Sequence, residues 1–182
     1  MNIFRKEFRF SGSGGQGLIV AGIILARAAV HEGYKVTQTQ SYGPESRGGS
    51  SRADVVIANS EIYFPEAINF DYLVALTQEA ADRNLAELKE KGMLVIDSGL
   101  VKYLGMTVNN LVEVNLSEMT LERLGSMLPI NVVSLSCIAK LSNIVSDKSI
   151  ELAIKESFKP NLININLEAM KLGFELAEKS KI

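Results

Sequence analysis

The sequence predicts an α/β fold: a single three-layer α/β/α sandwich that is Rossmann-like, with a mixed, mostly parallel sheet. Three observations predict this class. Short apolar strands alternate with helical segments, a glycine-rich turn joins the first strand to the first helix, and one long connection lacks a helical pattern. The chain has 182 residues, 47% hydrophobic and 22% charged, which is ordinary for a globular domain. We therefore expect residues 1–182 to form one domain.

The first strand and helix are the clearest elements. Residues 7–11, EFRFS, alternate apolar and polar side chains, and their charges are typical of an edge strand. Residues 17–31, GLIVAGIILARAAVH, are apolar almost all round, which predicts a helix buried against the sheet and ended by Gly33. Three further strands are predicted at 35–40, 53–59 and 72–77.

The second half of the chain continues the alternation and then becomes helical. Residues 79–91 predict a helix that Gly92 stops just after Lys91. Asp147 and Asn166 are suitable N-caps for two of the later helices. The predicted strands are 93–97 and 111–115, and the predicted helices are 117–127, 131–144, 147–157 and 166–179.

The connection between the second and third strands, SYGPESRGGSSR at 41–52, has no helical pattern. Parallel neighbouring strands need a crossover connection, which is usually a helix. We therefore expect these two strands to be antiparallel neighbours, which makes the sheet mixed. A long loop without structure of its own is usually functional in a compact domain.

Composition excludes several function classes. The net charge of −2 gives no basic field, which argues against nucleic acid as a partner. No apolar run approaches 18 residues and no signal-peptide pattern is visible, so we expect a cytoplasmic protein without a membrane span. With Cys137 as the only cysteine and His31 as the only histidine, neither an intrachain disulfide, an iron–sulfur cluster nor a zinc site is expected. His31 is expected on the surface, and a Cys–His catalytic pair stays open without an identifiable orienting group.

The glycine-rich turn lies in FRFSGSGGQG, residues 8–17. Gly12, Gly14 and Gly17 satisfy G-x-G-x-x-G between a strand and a helix, where exposed amide groups and the positive helix end can face a phosphate. Dinucleotide binding also needs an acidic residue near the end of the second strand, but residues 37–40 are TQTQ. Three interpretations stay open: NAD binding, a tight packing turn, and contact with a phosphate or a partner's backbone. The candidate contact residues are Ser13, Gly14, Gly15, Gln16 and Gly17.

The connection at 41–52, called the second loop below, carries two arginines. Their guanidinium groups match carboxylate or phosphate oxygens. Loops at the carboxyl ends of strands line the ligand crevice of an open α/β sheet. Because this loop follows the second strand and the glycine loop follows the first, we expect the two loops to lie side by side. A solvated polar loop is the alternative. The candidate binding residues are Ser41, Tyr42, Arg47 and Arg52.

These motifs carry a resemblance. RFSGSGGQG with its alanine-rich helix, then QTQSYGPESRGGSSRADVVIAN, then DYLVALTQEA, resemble the gamma subunit of 2-oxoacid:ferredoxin oxidoreductases, closest to the 2-oxoglutarate:acceptor form. The similarity runs from about residue 7 to NLEAMKLGFE at 166–175. SRGGSSR at 46–52 differs from the Arg–Gly–Ala of the pyruvate enzymes and favours 2-oxoglutarate, while branched-chain 2-oxoacids stay open. The chain departs from the family at Ser136, where glycine is common, so helix packing is expected to differ there.

The resemblance implies a division of labour with alpha, beta and delta-type subunits. The holoenzyme decarboxylates a 2-oxoacid on thiamine diphosphate with Mg²⁺, passes electrons through iron–sulfur clusters to ferredoxin or another acceptor, and forms an acyl-CoA from CoA, here succinyl-CoA. This chain is then a structural lid near the CoA site, with no cofactor and no catalytic residue of its own. The competing hypotheses are a small NAD-dependent Rossmann dehydrogenase and a nucleotide-sensing module.

The apolar character of the chain, with a mean hydropathy of +0.13, leads to an expectation about association. The helices near 131–145 and 166–176 carry apolar residues on more than one face. We expect them to form an exposed patch for subunit docking, through which the isolated chain self-associates.

Overall fold

The computed structural model describes residues 3–43 and 49–180, which form one six-stranded sheet with helices on both faces. The strand order is β2-β3-β1-β4-β5-β6. β3 runs antiparallel to both of its neighbours, and the remaining neighbours pair in parallel. The antiparallel pairing predicted for the second and third strands is confirmed. The strands are β1 (Arg5–Ser13), β2 (Lys35–Tyr42), β3 (Ser50–Ala58), β4 (Phe70–Ala75), β5 (Leu88–Asp97) and β6 (Asn110–Val114).

The helices form two unequal layers, which confirms the predicted fold class. The larger core lies on the α1 face of the sheet, where Phe8 and Phe10 of β1 meet Ile24 and Leu25. A smaller core lies on the α2 face around Leu73 and neighbouring side chains. The helices are α1 (Leu18–His31), α2 (Gln78–Asn84), α3 (Leu116–Leu124), α4 (Ile130–Ser142), α5 (Asp147–Ser157) and α6 (Pro160–Lys179).

The prediction of an edge position for the first strand is wrong. β1 pairs with β3 on one side and β4 on the other, so it lies inside the sheet. Its charged residues Glu7 and Arg9 are buried. They alternate with Phe8 and Phe10 because successive strand residues point to opposite faces. The charges serve internal pairing instead of contact with solvent.

The predicted helix over residues 79–91 is too long. α2 ends at Asn84, a 3₁₀ turn covers Leu85–Glu87, and the chain then enters β5 at Leu88. Gly92 therefore lies within a strand, where it is not a helix stop. Leu88 pairs with Phe70 in the sheet, and this tertiary pairing overrides the helix propensity of the Leu-Lys-Glu-Lys run.

Two predicted helix caps are also corrected. Ser146 is the N-cap of α5, and its hydroxyl accepts a hydrogen bond from the Ser149 amide. Asp147 follows it in the first turn. α6 begins at Pro160, a favoured first helical residue, so Asn166 lies inside the helix and donates to the Leu162 carbonyl.

The apolar residues of α4 lie in the core, contrary to the expected exposed patch. Every residue from Ile130 to Ala139 is buried, because the sheet, α1 and α6 surround this helix. α6 approaches it at Gly173, where an added Cβ would lie 2.7 Å from the Cβ of Ser136. The Ser136 hydroxyl is buried and has no hydrogen-bond partner among the described residues. Ser136 is therefore one of the residues, with Val133 and Cys137, that leave no room for a side chain at Gly173.

Candidate functional site

The glycine loop lies at a topological switch point of the sheet. β1 and β4 are neighbours, yet β1 leads into α1 on one face and β4 leads into α2 on the other. The Leu76 amide, just after β4, donates to the Ser11 carbonyl of β1. In open α/β sheets, ligands bind outside the carboxyl ends of strands at such a point. The loop is therefore at the place where this fold can offer a ligand crevice.

The loop is a tight turn closed by Gln16. Its side-chain Oε1 accepts from the Ser13 amide at 2.7 Å, and its own amide reaches the Ser13 carbonyl at 3.3 Å. Gly15 has φ 94° and Gly17 has φ 70°, a backbone region that favours glycine. Gly17 is the N-cap of α1, and no described side chain caps this helix end. Amide groups in its first turn are therefore left for an external acceptor.

The glycines of the loop serve different purposes. An added Cβ on Gly12 would collide with Gln16 Oε1, and one on Gly17 would lie 2.9 Å from Asn131 Nδ2. Asn131 also donates to the Gly17 carbonyl at 3.2 Å, which ties α4 to the loop. At Gly15, no described atom lies within 4 Å of an added Cβ. Packing thus accounts for Gly12 and Gly17, whereas no described residue crowds Gly15.

The second loop meets the glycine loop. Ser13 pairs in register with Ser50, and the Gly14 amide donates to the Gly49 carbonyl at 2.7 Å. Gly14 and Gly15 are exposed beside this contact. Arg47, one of the candidate binding residues, lies outside the described residues. The two loops lie side by side, as their order along the chain predicts.

A row of polar side chains crosses three strands at this edge. Ser41 of β2 pairs with Arg52 of β3, which pairs in turn with Ser11 of β1. Residues in register point to the same face, here the α2 face. Tyr42, next to Ser41 along β2, is 67% exposed. Because strand residues alternate, it belongs to the opposite face of the sheet.

The row lines a polar cavity of about 260 Å³. The cavity is also lined by residues that the sequence analysis did not identify as candidates. Alternation in EFRFS could have found Ser11, because it places Glu7, Arg9 and Ser11 on one face. Nothing local marks the contributions of α2 and the turn after it. The full lining is Ser11, Ser41, Ser50, Ser51, Arg52, Arg83, Asn84 and Glu87.

A buried ion pair contacts two of the residues that line this cavity. The Arg9 guanidinium donates to both carboxylate oxygens of Asp54, at 2.7 and 2.6 Å. Its third nitrogen donates to Asn84 Oδ1 at 2.9 Å and to Glu87 at 3.0 Å. Asn84 Nδ2 donates to Ser11 Oγ at 3.0 Å. The arginine thus fixes the position of cavity residues from β1, α2 and the following turn.

The structure separates the two residues of the possible Cys–His pair. Cys137 is buried in α4, and burial raises the pKa of its thiol to about 12, which disfavours the thiolate. His31 is exposed, as expected, with Nε2 3.1 Å from a carboxylate oxygen of Glu156. Within the described part of the chain, no group of three or more histidine, cysteine, aspartate or glutamate side chains could hold a metal. Nor does that part contain a helix long and apolar enough to cross a membrane.

Comparison with known proteins then decides the family. Residues 7–176 match the family model described as pyruvate ferredoxin/flavodoxin oxidoreductase. The chain belongs to this family. Among the family's curated members, it is 42% identical to 2-oxoglutarate synthase subunit KorC of Methanocaldococcus jannaschii, covering 96% of this chain and 95% of that one. It is 34% identical to the common gamma subunit of the pyruvate/ketoisovalerate oxidoreductases of Pyrococcus furiosus, covering 94% and 97%.

Solved structures of the family share the fold. The keto/oxoacid ferredoxin oxidoreductase gamma subunit of Geobacter sulfurreducens superposes with a TM-score of 0.90 at 38% identity, covering 98% of this chain and 99% of that one. The 2-oxoglutarate:ferredoxin oxidoreductase of Magnetococcus marinus superposes with a TM-score of 0.86 at 22% identity, covering 97% of this chain and 32% of that one. The fold described here therefore occurs both as a separate subunit and within a longer chain.

Proposed function

We propose that this chain is the gamma subunit of a multi-subunit 2-oxoglutarate:ferredoxin oxidoreductase. The complex converts 2-oxoglutarate and CoA to succinyl-CoA and CO₂ and reduces ferredoxin or another acceptor. The observation that carries the proposal is the near full-length match, at 42% identity, to a 2-oxoglutarate synthase subunit. The serine- and glycine-rich second loop, SRGGSSR at 46–52, favours the same branch.

The chain's own residues do not fit a redox centre. An iron–sulfur cluster usually takes four thiolates, and Cys137 is a single, buried cysteine whose thiol pKa is raised. We therefore assign thiamine diphosphate, Mg²⁺ and the iron–sulfur clusters to the alpha, beta and delta-type subunits of a cytoplasmic complex. This chain contributes no residue to the chemical step.

The proposed role of the chain is to close the CoA entrance and to hold CoA or the adjoining subunit in place. The Gly15 amide, the uncapped start of α1 and the Arg52 guanidinium all lie at one edge of the sheet. These are donors without catalytic acidity, suited to holding an anion or a neighbouring backbone. We propose that this edge faces the CoA entrance, contacting CoA or the adjoining subunit and excluding water from it.

The NAD-dependent alternative is not favoured. β2 carries Thr37, Gln38, Thr39 and Gln40 where an acidic residue would hold the ribose hydroxyls. Two glycines of the fingerprint are also explained by packing against Gln16 and Asn131.

Reconstitution tests the substrate. The complex assembled with and without this chain is assayed with 2-oxoglutarate, pyruvate and 2-oxoisovalerate, with CoA and ferredoxin. We expect the highest kcat/KM with 2-oxoglutarate, and loss of CoA-dependent turnover when this chain is omitted. A preference for pyruvate or 2-oxoisovalerate would contradict the assigned branch, and full activity without the chain would contradict the role.

A further inference from the structure

The polar cavity on the α2 face contains more hydrogen-bond donors than its own residues use. Ser11 Oγ accepts from Asn84, and Ser50 Oγ accepts from Arg83 at 3.1 Å. A hydroxyl that already accepts still has its own proton to donate. Both serines therefore present donors to the cavity, next to the guanidinium of Arg52.

Apart from one oxygen of Glu87, the amide and carboxylate acceptors in and beside the cavity are already engaged. Asn84 Oδ1 accepts from Arg9, and both oxygens of Asp54 do the same. Glu87 is held by Arg9 through one oxygen, which leaves its other oxygen as an acceptor at the rim. An incoming group must therefore supply oxygen acceptors of its own, because the cavity offers mainly N–H and O–H donors.

The charges point to Arg52 as the anchor. Arg9 lies between Asp54 and Glu87, and Arg83 pairs with Glu79 at 2.6 Å. No hydrogen bond or ion pair joins Arg52 to another residue in the ranges 3–43 and 49–180. Arg9 and Arg83 are thus neutralised by carboxylates, and Arg52 is left as the guanidinium of the described cluster that can attract one compact anion.

From this geometry we infer that the cavity lined by Ser11, Ser41, Ser50, Arg52 and Arg83 is a binding site for a single phosphate monoester group. A tetrahedral phosphate presents three oxygens, which matches donors that converge from β1, β2, β3 and α2 better than a planar carboxylate does. Arg52 supplies the charge-assisted contact, and the Ser11 and Ser50 hydroxyls complete the shell. Arg9 touches no ligand and acts as a positioning residue beneath them.

The binding of phosphate itself is independent of the proposed function; only its source rests on that proposal. The phosphate belongs either to CoA, whose 3′-phosphate is such a group, or to free phosphate and other esters. The two sources share the same chemistry, and the experiment below separates them.

The first experiment titrates the full chain with inorganic phosphate at constant ionic strength and follows the arginine side-chain resonances by NMR. We expect saturable binding, weakened about ten- to a hundredfold in Arg52→Gln because a charge-assisted bond is lost. Ser11→Ala should weaken it by a smaller factor. Arg123→Gln, on α3 and paired with Glu175, removes the same charge elsewhere and should leave binding unchanged.

The second experiment compares CoA with dephospho-CoA in the assembled complex. If CoA is the source, the KM advantage of CoA over dephospho-CoA in the wild type disappears in Arg52→Gln. If that ratio is unchanged while the phosphate titration is lost, the source is free phosphate or another ester. Equal phosphate binding by Arg52→Gln and Arg123→Gln, or unsaturable binding by the wild type, overturns the site. Failure of the proposed function shows separately, as a wild-type complex that does not turn over 2-oxoglutarate.

Discussion

At the scale of single residues, a comparison of Gly15 with Gly33 distinguishes the effect of backbone strain from the effect of losing a contact. Its φ of 94° is in the left-handed region, and no described atom lies within 4 Å of an added Cβ. Gly33, just beyond the other end of α1, has φ 82° and the same open surroundings among the described residues. The two glycines are therefore matched in backbone strain but differ in position, because only Gly15 lies beside the second loop.

We expect Gly15→Ala and Gly33→Ala each to cost about 1–2 kcal/mol, the penalty of a left-handed non-glycine residue. Thermal unfolding should show similar drops in Tm for both. Activity of the assembled complex should fall in Gly15→Ala alone, because we propose that a ligand or partner approaches the backbone at this position. Equal activities in the two variants would show that nothing approaches this backbone.

The Arg9–Asp54 pair makes a second prediction at this scale. Both side chains are almost fully buried, at 3% and 7% exposure, and the bond is bidentate. Removing Asp54 leaves the buried Arg9 charge with the half-exposed Glu87 carboxylate as its partner, so the loss is expected at the lower end of the about 3–5 kcal/mol that breaking a buried pair costs. Asp54→Ala should lower the free energy of urea unfolding by that amount, whereas the double variant Arg9→Met with Asp54→Ala should lose less than the two single changes combined. Strict additivity would show that the two residues do not act as a pair.

At the scale of elements, side chains from α1 and its C-cap form hydrogen bonds with both ends of α5. Arg27 donates to the Glu156 carbonyl at 2.9 Å and to Ser157 Oγ at 3.0 Å, at the C-terminus of α5. Glu32, at the C-cap of α1, accepts from the Ser146 amide at 2.9 Å and from Ser149 Oγ at 2.6 Å. These side chains satisfy end groups that a helix cannot satisfy by itself.

Glu32 makes this contact sensitive to pH. Hydrogen bonds from Ser146 and then Ser149 lower the pKa of its carboxyl from 4.5 to about 2. A carboxyl with a depressed pKa in the folded state stabilises the protein above its unfolded pKa, and this contribution is lost as pH falls through the folded value. Between pH 4.5 and 2, the wild type should therefore lose stability that Glu32→Gln does not lose. Glu90→Gln is the control, and parallel Tm curves for all three proteins would exclude the effect.

At the scale of the whole molecule, the fold places its core away from the edge of the sheet that we propose as the binding edge. The large apolar core lies between α1, α4, α6 and the sheet, while polar groups collect at the carboxyl ends of β1, β2 and the loops that follow them. The isolated chain should therefore fold without the chemistry of the complex. Purified alone with 2-oxoglutarate, CoA and acceptor, it should show no turnover, and activity should appear on addition of the other subunits. Turnover by the purified chain alone would contradict its assignment as a non-catalytic subunit.

The sequence by itself determined the order of most elements, the antiparallel β2–β3 pair, the meeting of the two loops and the family. Each of these follows from local signals: alternation of side chains along a strand, glycine-rich turn chemistry, and a connection that lacks a crossover helix. Such signals involve residues a few positions apart, and the resemblance is carried by contiguous motifs of the same kind.

Only the tertiary structure decided which strands are neighbours and which polar residues share a cavity. Arg9 meets Asp54 across 45 positions and Asn84 across 75, so nothing near EFRFS marks its charges as buried. The end of α2 at Asn84, which brings Arg83 and Asn84 over Ser11, was set by the pairing of Leu88 with Phe70, where helix propensity pointed to a longer helix. Strand order is fixed by long-range burial and pairing energies, and these depend on partners that no local pattern names.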